Sequence, residues 1–348
     1  MQIMNFMKQY DYLIGRRSSV YRLCYCMKIG VVGCGAIGSF YGAKLLQAGN
    51  EVHFLLRSDY EVVKSKGVFI ESINGDFHVN PIVAKDPEEI GVCDWVFIGL
   101  KTTANYAFQK LLTPLVGDNT AIVTLQNGLG SEEALAGLFG ADKVLGGLCF
   151  VCLNRIKPGY IRHIEHGRIT LGEFGRKAQP RTYQIAKILE SVGVPCSVVD
   201  NLQKAHWEKL LWNIPYNGLG VAAAAGYDTV ISGGEVDLGK VGECFPTNKI
   251  HADKHWENLL IELMEEVWTA GNALGLDISH DKVKANLDST ACMGEYWAST
   301  LLDFKNRKPL EIDTLFKNPL AIGQKAGVNM PRLENMCKVL EQLAKLCR

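Results

Sequence analysis

The sequence predicts a chain in two parts, an α/β half built on a parallel sheet followed by an all-helical half. Three observations carry that prediction. Short apolar strand-like runs alternate with helical segments as far as about residue 200, and beyond it the strand signals stop. Between the first such run and the first helical one lies a Gly-x-Gly-x-x-Gly pattern.

The elements follow in order. MKIGVVG, from Met27, is a short buried strand, and AIGSFYGAKLLQAG has helical periodicity closed by Gly49. EVHFLLR is the second strand. GVFIESI and DFHVNPIVAK read as a hairpin turning at Asn74-Gly75. DWVFIGLK and TAIVTLQNG are two more apolar strands with a helical stretch between them, an alternation that implies a parallel sheet covered by helices. GGLCFVCLNRI, GYIRHIEHGRITLGEF and VPCSVVD are added strands, with the helix RTYQIAKILESVG between the last two. From NLQKAHWEKLLWNIPYNGLGVAAAAG to PRLENMCKVLEQLAKL the periodic segments are all helical, interrupted by a Gly-rich excursion over 232–253. The predicted boundaries are therefore an N-terminal extension over 1–26, an α/β domain over 27–200 and a helical domain over 201–348.

Composition bounds the function. The chain has 348 residues, 37 basic against 37 acidic, so it carries no electrostatic footprint for nucleic acid or an anionic membrane. No apolar run approaches the roughly 20 residues of a membrane helix. The first 26 residues are basic and nearly free of acids, but no apolar segment follows Arg16-Arg17 to make a secretory signal. They read as a disordered extension, or as the product of an upstream start with Met27 as the initiator. Eleven cysteines without a secretory signal predict reduced thiols in a cytoplasm. Cys149 and Cys152 form a lone C-x-x-C in an apolar strand, so burial is expected there. HIEH (His163, Glu165, His166) and HADKH (His251, Asp253, His255) lack further ligands in any evident pattern and read as surface segments; no metal site is expected.

The glycine pattern is VVGCGAIG, with Gly33, Gly35 and Gly38 between strand and helix. The first glycine makes the tight turn, the second lets a pyrophosphate approach, and the third lets the helix pack on its strand. The expected cofactor loop is Gly33, Cys34, Gly35, Ala36, Ile37 and Gly38. The second strand ends FLLRSDY: Arg57 stands where an NAD site offers an acid, which favours NADP, although Asp59 lies two residues on. Lys101 and Asn127 each follow the C-terminal end of a strand, the edge where such sheets place ligands.

In the helical half, AHWEKLLWNIPYNGLG (205–220) is an apolar helix with one polar stripe. Lys209, Asn213 and Asn217 recur at steps of four and share a face. From Met27 onward the chain resembles the ketopantoate reductases (2-dehydropantoate 2-reductases), on GCGAIG, LKT, LQNG, WEKLLWNIPYN and RKPLEID in that order and spacing. The resemblance implies a Rossmann-type dinucleotide-binding domain followed by an all-helical C-terminal domain, the 6-phosphogluconate-dehydrogenase-like arrangement, with substrate in the cleft between them. It implies reduction of 2-dehydropantoate to D-pantoate for pantothenate and coenzyme A synthesis, with NADP(H) as cofactor and a homodimer left open. It makes Lys209 the general acid and Glu311 its catalytic partner. Asn213, Asn217 and Ser299 become substrate ligands, and Asn127 lies near the nicotinamide and substrate.

The chemistry is coherent: an ammonium at Lys209 can polarise a 2-oxo group, stabilise the alkoxide and donate the proton. The chain also departs from the family. Ala104 replaces the glutamine of L-K-x-x-Q, and ASTLLD replaces SSMLQD, so only Ser299 and Asp303 keep that run's polar set. Two alternatives remain: a paralogous D-2-hydroxyacid dehydrogenase acting on other branched 2-oxo acids, and a non-catalytic NADP-binding sensor.

Overall fold

The computed structural model describes residues 26–347, so the expectation of an extension over 1–26 lies outside the described residues except for Cys26. The α/β half opens with β1 (Lys28–Val32), α1 (Ala36–Gln47), β2 (Glu51–Leu55), α2 (Tyr60–Lys66) and the hairpin β3 (Val68–Ser72) and β4 (Phe77–Val79). It continues through β5 (Ile82–Ala84), α3 (Pro87–Ile90), β6 (Trp95–Ile98), a 3-10 segment Thr102–Ala107 and α4 (Phe108–Leu112). β7 (Ala121–Thr124), α5 (Ser131–Phe139), β8 (Val144–Lys157), β9 (Tyr160–Glu173), α6 (Pro180–Ser191) and β10 (Cys196–Val199) complete it.

The ten-stranded sheet runs β4-β3-β9-β8-β7-β6-β1-β2-β5, with β10 on β9. Six strands from β5 to β8 are parallel. They are apolar on both faces because helices cover both: Phe40, Tyr41 and Leu45 of α1 with Ile185 and Leu189 of α6 on one side, Phe108, Leu112 and Leu135 on the other.

DFHVNPIVAK does not form a single hairpin strand. Pro81 has no N–H for a ladder and the strand breaks there. β4 pairs β3 as expected from the Asn74-Gly75 turn, but β5 pairs β2 at the opposite edge of the sheet. Only Asn80 and Pro81 join the two edges, a reach of about 10 Å across the connection. The sheet must therefore curl until its edges meet. A second correction concerns HIEH: His163 is buried rather than superficial, its ring tilted against Phe40 with centroids 4.8 Å apart and hydrogen-bonded to the Ser72 hydroxyl at 2.9 Å.

The helical half comprises α7 (Leu202–Ala222), α8 (Tyr227–Ser232), α9 (Thr247–Ala252), α10 (Lys254–Ala273), α11 (Asp281–Ala291), α12 (Ser299–Lys305), α13 (Asn318–Lys325) and α14 (Pro331–Leu343). The Gly-rich excursion crosses from α8 to α9. A π-helical turn, Asp313–Lys317, leads into α13. α7 is the central helix. Asn201 caps it by accepting the Lys204 N–H at 2.9 Å, and Trp207, Leu210, Leu211 and Ile214 enter the helical core. Among the described residues no helix is long and apolar enough to cross a membrane.

The order β2-β1-β6 reverses the winding direction beside β1, and the crevice at the C-terminal ends of β1 and β6 lies at that switch. Packing is tight below it: a Cβ on Gly38 would lie 2.3 Å from the Gly33 carbonyl oxygen. Gly38→Ala is thus expected to cost about 1–3 kcal/mol by overpacking, measured as a lowered denaturant midpoint. An unchanged midpoint would mean that α1 can lift off β1 freely.

Candidate active site

The sites expected from sequence converge on the switch and on the face of α7 opposite it. At the glycine turn, Gly33 takes φ 91°, and a Cβ there would lie 2.3 Å from the Leu100 amide nitrogen. Nothing lies within 4 Å of a Cβ built on Gly35, so the turn is closed beneath and open in front. Cys34 spans the turn with its thiol on the Val31 carbonyl, while Ala36 and Ile37 begin α1. That helix has no side-chain N-cap and no acid in its first turn, leaving amide N–H groups available at its positive end.

Arg57 is exposed just past β2. Asp59, the ambiguous acid of the sequence, is buried and held by Arg155 of β8 through two hydrogen bonds, Nε at 3.0 Å and Nη2. Its carboxylate is committed to a partner more than ninety positions along the chain that the sequence pattern did not indicate.

Lys101 and Glu311 meet across the junction of the two halves. The Lys101 ammonium reaches Asp303 at 2.8 Å and Glu311 at 3.1 Å. Glu311, buried, takes the Thr102 backbone N–H at 2.7 Å on its other oxygen, capping the 3-10 segment from outside it. Beside it the Thr102 and Thr314 hydroxyls are 2.8 Å apart. Burial pushes the Lys101 pKa down, but Glu311 and Asp303 outweigh it and hold the pKa well above the ordinary lysine value.

Lys209 is different. Its ammonium donates to the Asn127 side-chain oxygen at 2.9 Å and lies 5.3 Å from the centre of the Phe150 ring. Burial lowers its pKa from 10.5, against smaller opposing effects of Cys149, Glu132 and Glu311. The ring beside it is thus Phe150 of β8, whereas Trp207 and Leu210 face the helical core. Asn213 is buried at 8% exposure with no side-chain hydrogen bond among the described residues. Asn217 accepts the Thr300 N–H at 3.0 Å and the Ser299 hydroxyl at 3.3 Å. It thereby serves α12, whose own N-cap position, Ala298, has no side chain to do so.

Several neighbours escaped sequence reasoning. Phe150, Arg155 and Thr314 carry no motif of their own, and Thr102 stands inside LKT with no role given to it by the sequence. The buried Glu132–His206 pair, 2.9 Å apart, joins the first turn of α5 to α7 one turn before Lys209. Gln126 and Asn105 bond at 2.8 Å behind the LQNG loop and stiffen it. Asp303 had a signal as a surviving polar position before RKPLEID, and Thr102 and Gln126 stood inside the LKT and LQNG motifs. The described cysteines are all free.

The family model described as Ketopantoate reductase PanE/ApbA matches residues 29–176, and its C-terminal companion matches 239–344. The chain belongs to the ketopantoate reductase family. A 2-dehydropantoate 2-reductase from Nostoc sp. is 37% identical over 312 residues, 88% of this chain and 92% of that protein. Among solved structures, the 2-dehydropantoate 2-reductase of Geobacter metallireducens superposes with a TM-score of 0.82 at 43% identity, covering 90% of this chain and 99% of that one. The enzyme of that name from Methylococcus capsulatus gives 0.80 at 31% identity, covering 92% and 98%. A D-mandelate dehydrogenase solved with NADH and anilino(oxo)acetate, at 19% identity and a TM-score of 0.78, shares the fold. As a ketopantoate reductase relative, the chain is an oxidoreductase of a dinucleotide-binding reductase family acting on a small molecule.

Glu311 is the hinge of the junction. Glu311→Ala leaves a buried N–H without an acceptor and removes one of Lys101's two carboxylates. A loss of about 2–3 kcal/mol is expected in chemical denaturation. Glu311→Gln keeps the amide acceptor and should lose less than half as much. Equal losses would show that charge, not the N–H acceptor, governs the junction.

Proposed function

We propose that this chain reduces 2-dehydropantoate (ketopantoate) to D-pantoate with NADPH in the cytoplasm, for pantothenate and coenzyme A synthesis, and that Lys209 is the proton donor. The observation that carries this reading is the Lys209 ammonium, half-buried, with a lowered pKa, held 2.9 Å from Asn127 at the edge where α/β sheets place ligands.

The residues present fit a dinucleotide. Gly35 leaves the space a pyrophosphate needs, and the uncapped start of α1 offers it N–H groups and the positive end of the helix. Arg57 is free to meet a 2′-phosphate, while Arg155 keeps Asp59 from acting as a ribose acceptor. Bound there, the cofactor supplies the hydride.

The chain's own residues do the rest. Lys209 hydrogen-bonds the 2-oxo oxygen, stabilises the charge that develops on it and transfers its proton to that oxygen. Asn127 aims the ammonium. Asn213, buried and unbonded among the described residues, can hydrogen-bond the substrate without adding charge. Ser299, exposed at the start of α12, turns its hydroxyl proton from Asn217 to the substrate carboxylate, while Asn217 keeps the Thr300 N–H. Glu311 serves by fixing Lys101, Thr102 and the π turn, and stays available to a substrate hydroxyl. A buried ammonium with a lowered pKa, which cofactor binding alone does not call for, favours this reading over a sensor that only binds NADP.

Steady-state rates with NADPH test the substrate: ketopantoate should be turned over faster than 2-oxoisocaproate, and the reverse order would favour a paralogous D-2-hydroxyacid dehydrogenase. Lys209→Ala should lower kcat by roughly 10²-fold or more while NADPH still binds. The donor must be protonated, so reductive kcat/KM should fall as pH rises through a value below 10.5; a flat profile there with normal turnover in the alanine variant removes Lys209 from the mechanism. Arg57→Ala should weaken NADPH by about 10- to 100-fold and NADH little, by fluorescence titration. Equal losses would make Arg57 structural.

A further inference from the structure

Two motifs that the sequence keeps apart, the C-x-x-C and the HIEH run, face each other across the β8–β9 hairpin. Cys152 stands opposite Glu165 and Val151 opposite His166. The donor atoms of Cys152, Glu165 and His166 all lie within 4.8 Å of one another. We infer that these three side chains form a binding site for a thiophilic divalent cation of the zinc type.

A regular strand could not build this cluster, because neighbours such as Glu165 and His166 would point to opposite faces. The backbone is bent to bring them together. The ladder shifts register on both sides of the Val151–Cys152 pair, and His166 takes φ 64° in the left-handed region that a non-glycine residue enters only at a cost. Gly167 follows at φ 121°. The result sets the imidazole Nε2 4.0 Å from the Glu165 carboxylate, on the same side as the thiol. His163 takes no part: its ring nitrogens are used by Ser72 and by the His166 carbonyl.

The donor set is specific. A thiolate with an imidazole and a carboxylate suits zinc and its analogues and disfavours magnesium or calcium. Tetrahedral bonds of zinc length place donors roughly 3.3–3.8 Å apart, so side-chain rotation of about an ångström closes the cluster on an ion. Water completes four-coordination, and the Tyr296 hydroxyl, 3.4 Å from the Cys152 sulfur, donates its hydrogen bond to the metal-bound thiolate. Glu165 and His166 are half exposed, which gives the ion a way in. On binding, the S–H bond breaks, the sulfur keeps the electron pair and bonds the metal, and the proton leaves to water; no electron is transferred. Tyr296 belongs to the helical half, in the segment leading to Ser299, so its hydrogen bond to the metal-bound thiolate would tie the hairpin to the helical domain.

The full-length protein, treated with chelator and titrated with Co²⁺, tests this. One equivalent should bind, giving a thiolate-to-cobalt charge-transfer band in the near ultraviolet that Zn²⁺ displaces. Cys152→Ser should abolish the band. His166→Gly should weaken Co²⁺ by about tenfold or more while the metal-free melting temperature holds or rises, since glycine suits the left-handed backbone. No band in the parent, a band surviving in Cys152→Ser, or undiminished affinity in His166→Gly overturns the site.

Discussion

The position of the Lys209 ammonium depends on one close backbone approach between the two halves of the molecule. Gly128 takes φ 86°, and a Cβ there would lie 2.3 Å from the Thr314 carbonyl oxygen, so only glycine lets the loop after β7 lie against the π turn. The next residue, Leu129, donates its N–H to that carbonyl at 2.8 Å. Thr314 is free to accept because a π turn would set Pro319 opposite it, and proline has no N–H to give. Asn127, immediately before this contact, then has little freedom, and it is Asn127 that holds the ammonium of Lys209.

A second tie works on the same turn from its other end. Glu311 precedes the π turn and reaches across to Lys101 and the Thr102 N–H at the end of β6. Neighbouring strand ends, β6 and β7, are therefore clamped to one short segment of the helical half, and Asn318 adds a bond from its side chain to the Leu129 carbonyl at 2.7 Å. The carboxylate is an acceptor for a buried amide as well as a counter-charge. Functional irregularities of this kind, a left-handed glycine and a π turn, occur where two rigid halves must be held to a fraction of an ångström.

Much of this was legible in the sequence for a local reason. Gly33 and Gly38 are required by contacts within one strand–turn–helix unit, and Lys209, Asn213 and Asn217 share a stripe that helical spacing alone reveals. The split near residue 200 follows from the change of period. What escaped is what depends on distant pairing. The separation of β4 from β5 onto opposite edges turned on Pro81, a single missing donor inside an otherwise strand-like run. The commitment of Asp59 to Arg155, the placement of Phe150 against Lys209, and the meeting of Cys152 with Glu165 and His166 all depend on where a long hairpin lies and in what register. No periodicity within a short window encodes that register.

The two lysines at the cleft show how the same residue type is given opposite chemistry. Lys101 faces two carboxylates, and their attraction outweighs the cost of burial, so its proton is held more firmly than in water. Such a group is a fixed charge that can orient its neighbours and is a poor proton donor near neutral pH. Lys209 has a neutral amide at 2.9 Å and an aromatic ring beside it, and its acidic neighbours are too weakly felt to offset desolvation. Its proton is therefore the easier of the two to give, which is what the proposed donation to a carbonyl oxygen requires. Exchanging Asn127 for a carboxylate would erase the distinction: the ammonium would acquire a counter-charge, its pKa would rise, and the asymmetry on which the proposed donor role of Lys209 rests would be lost.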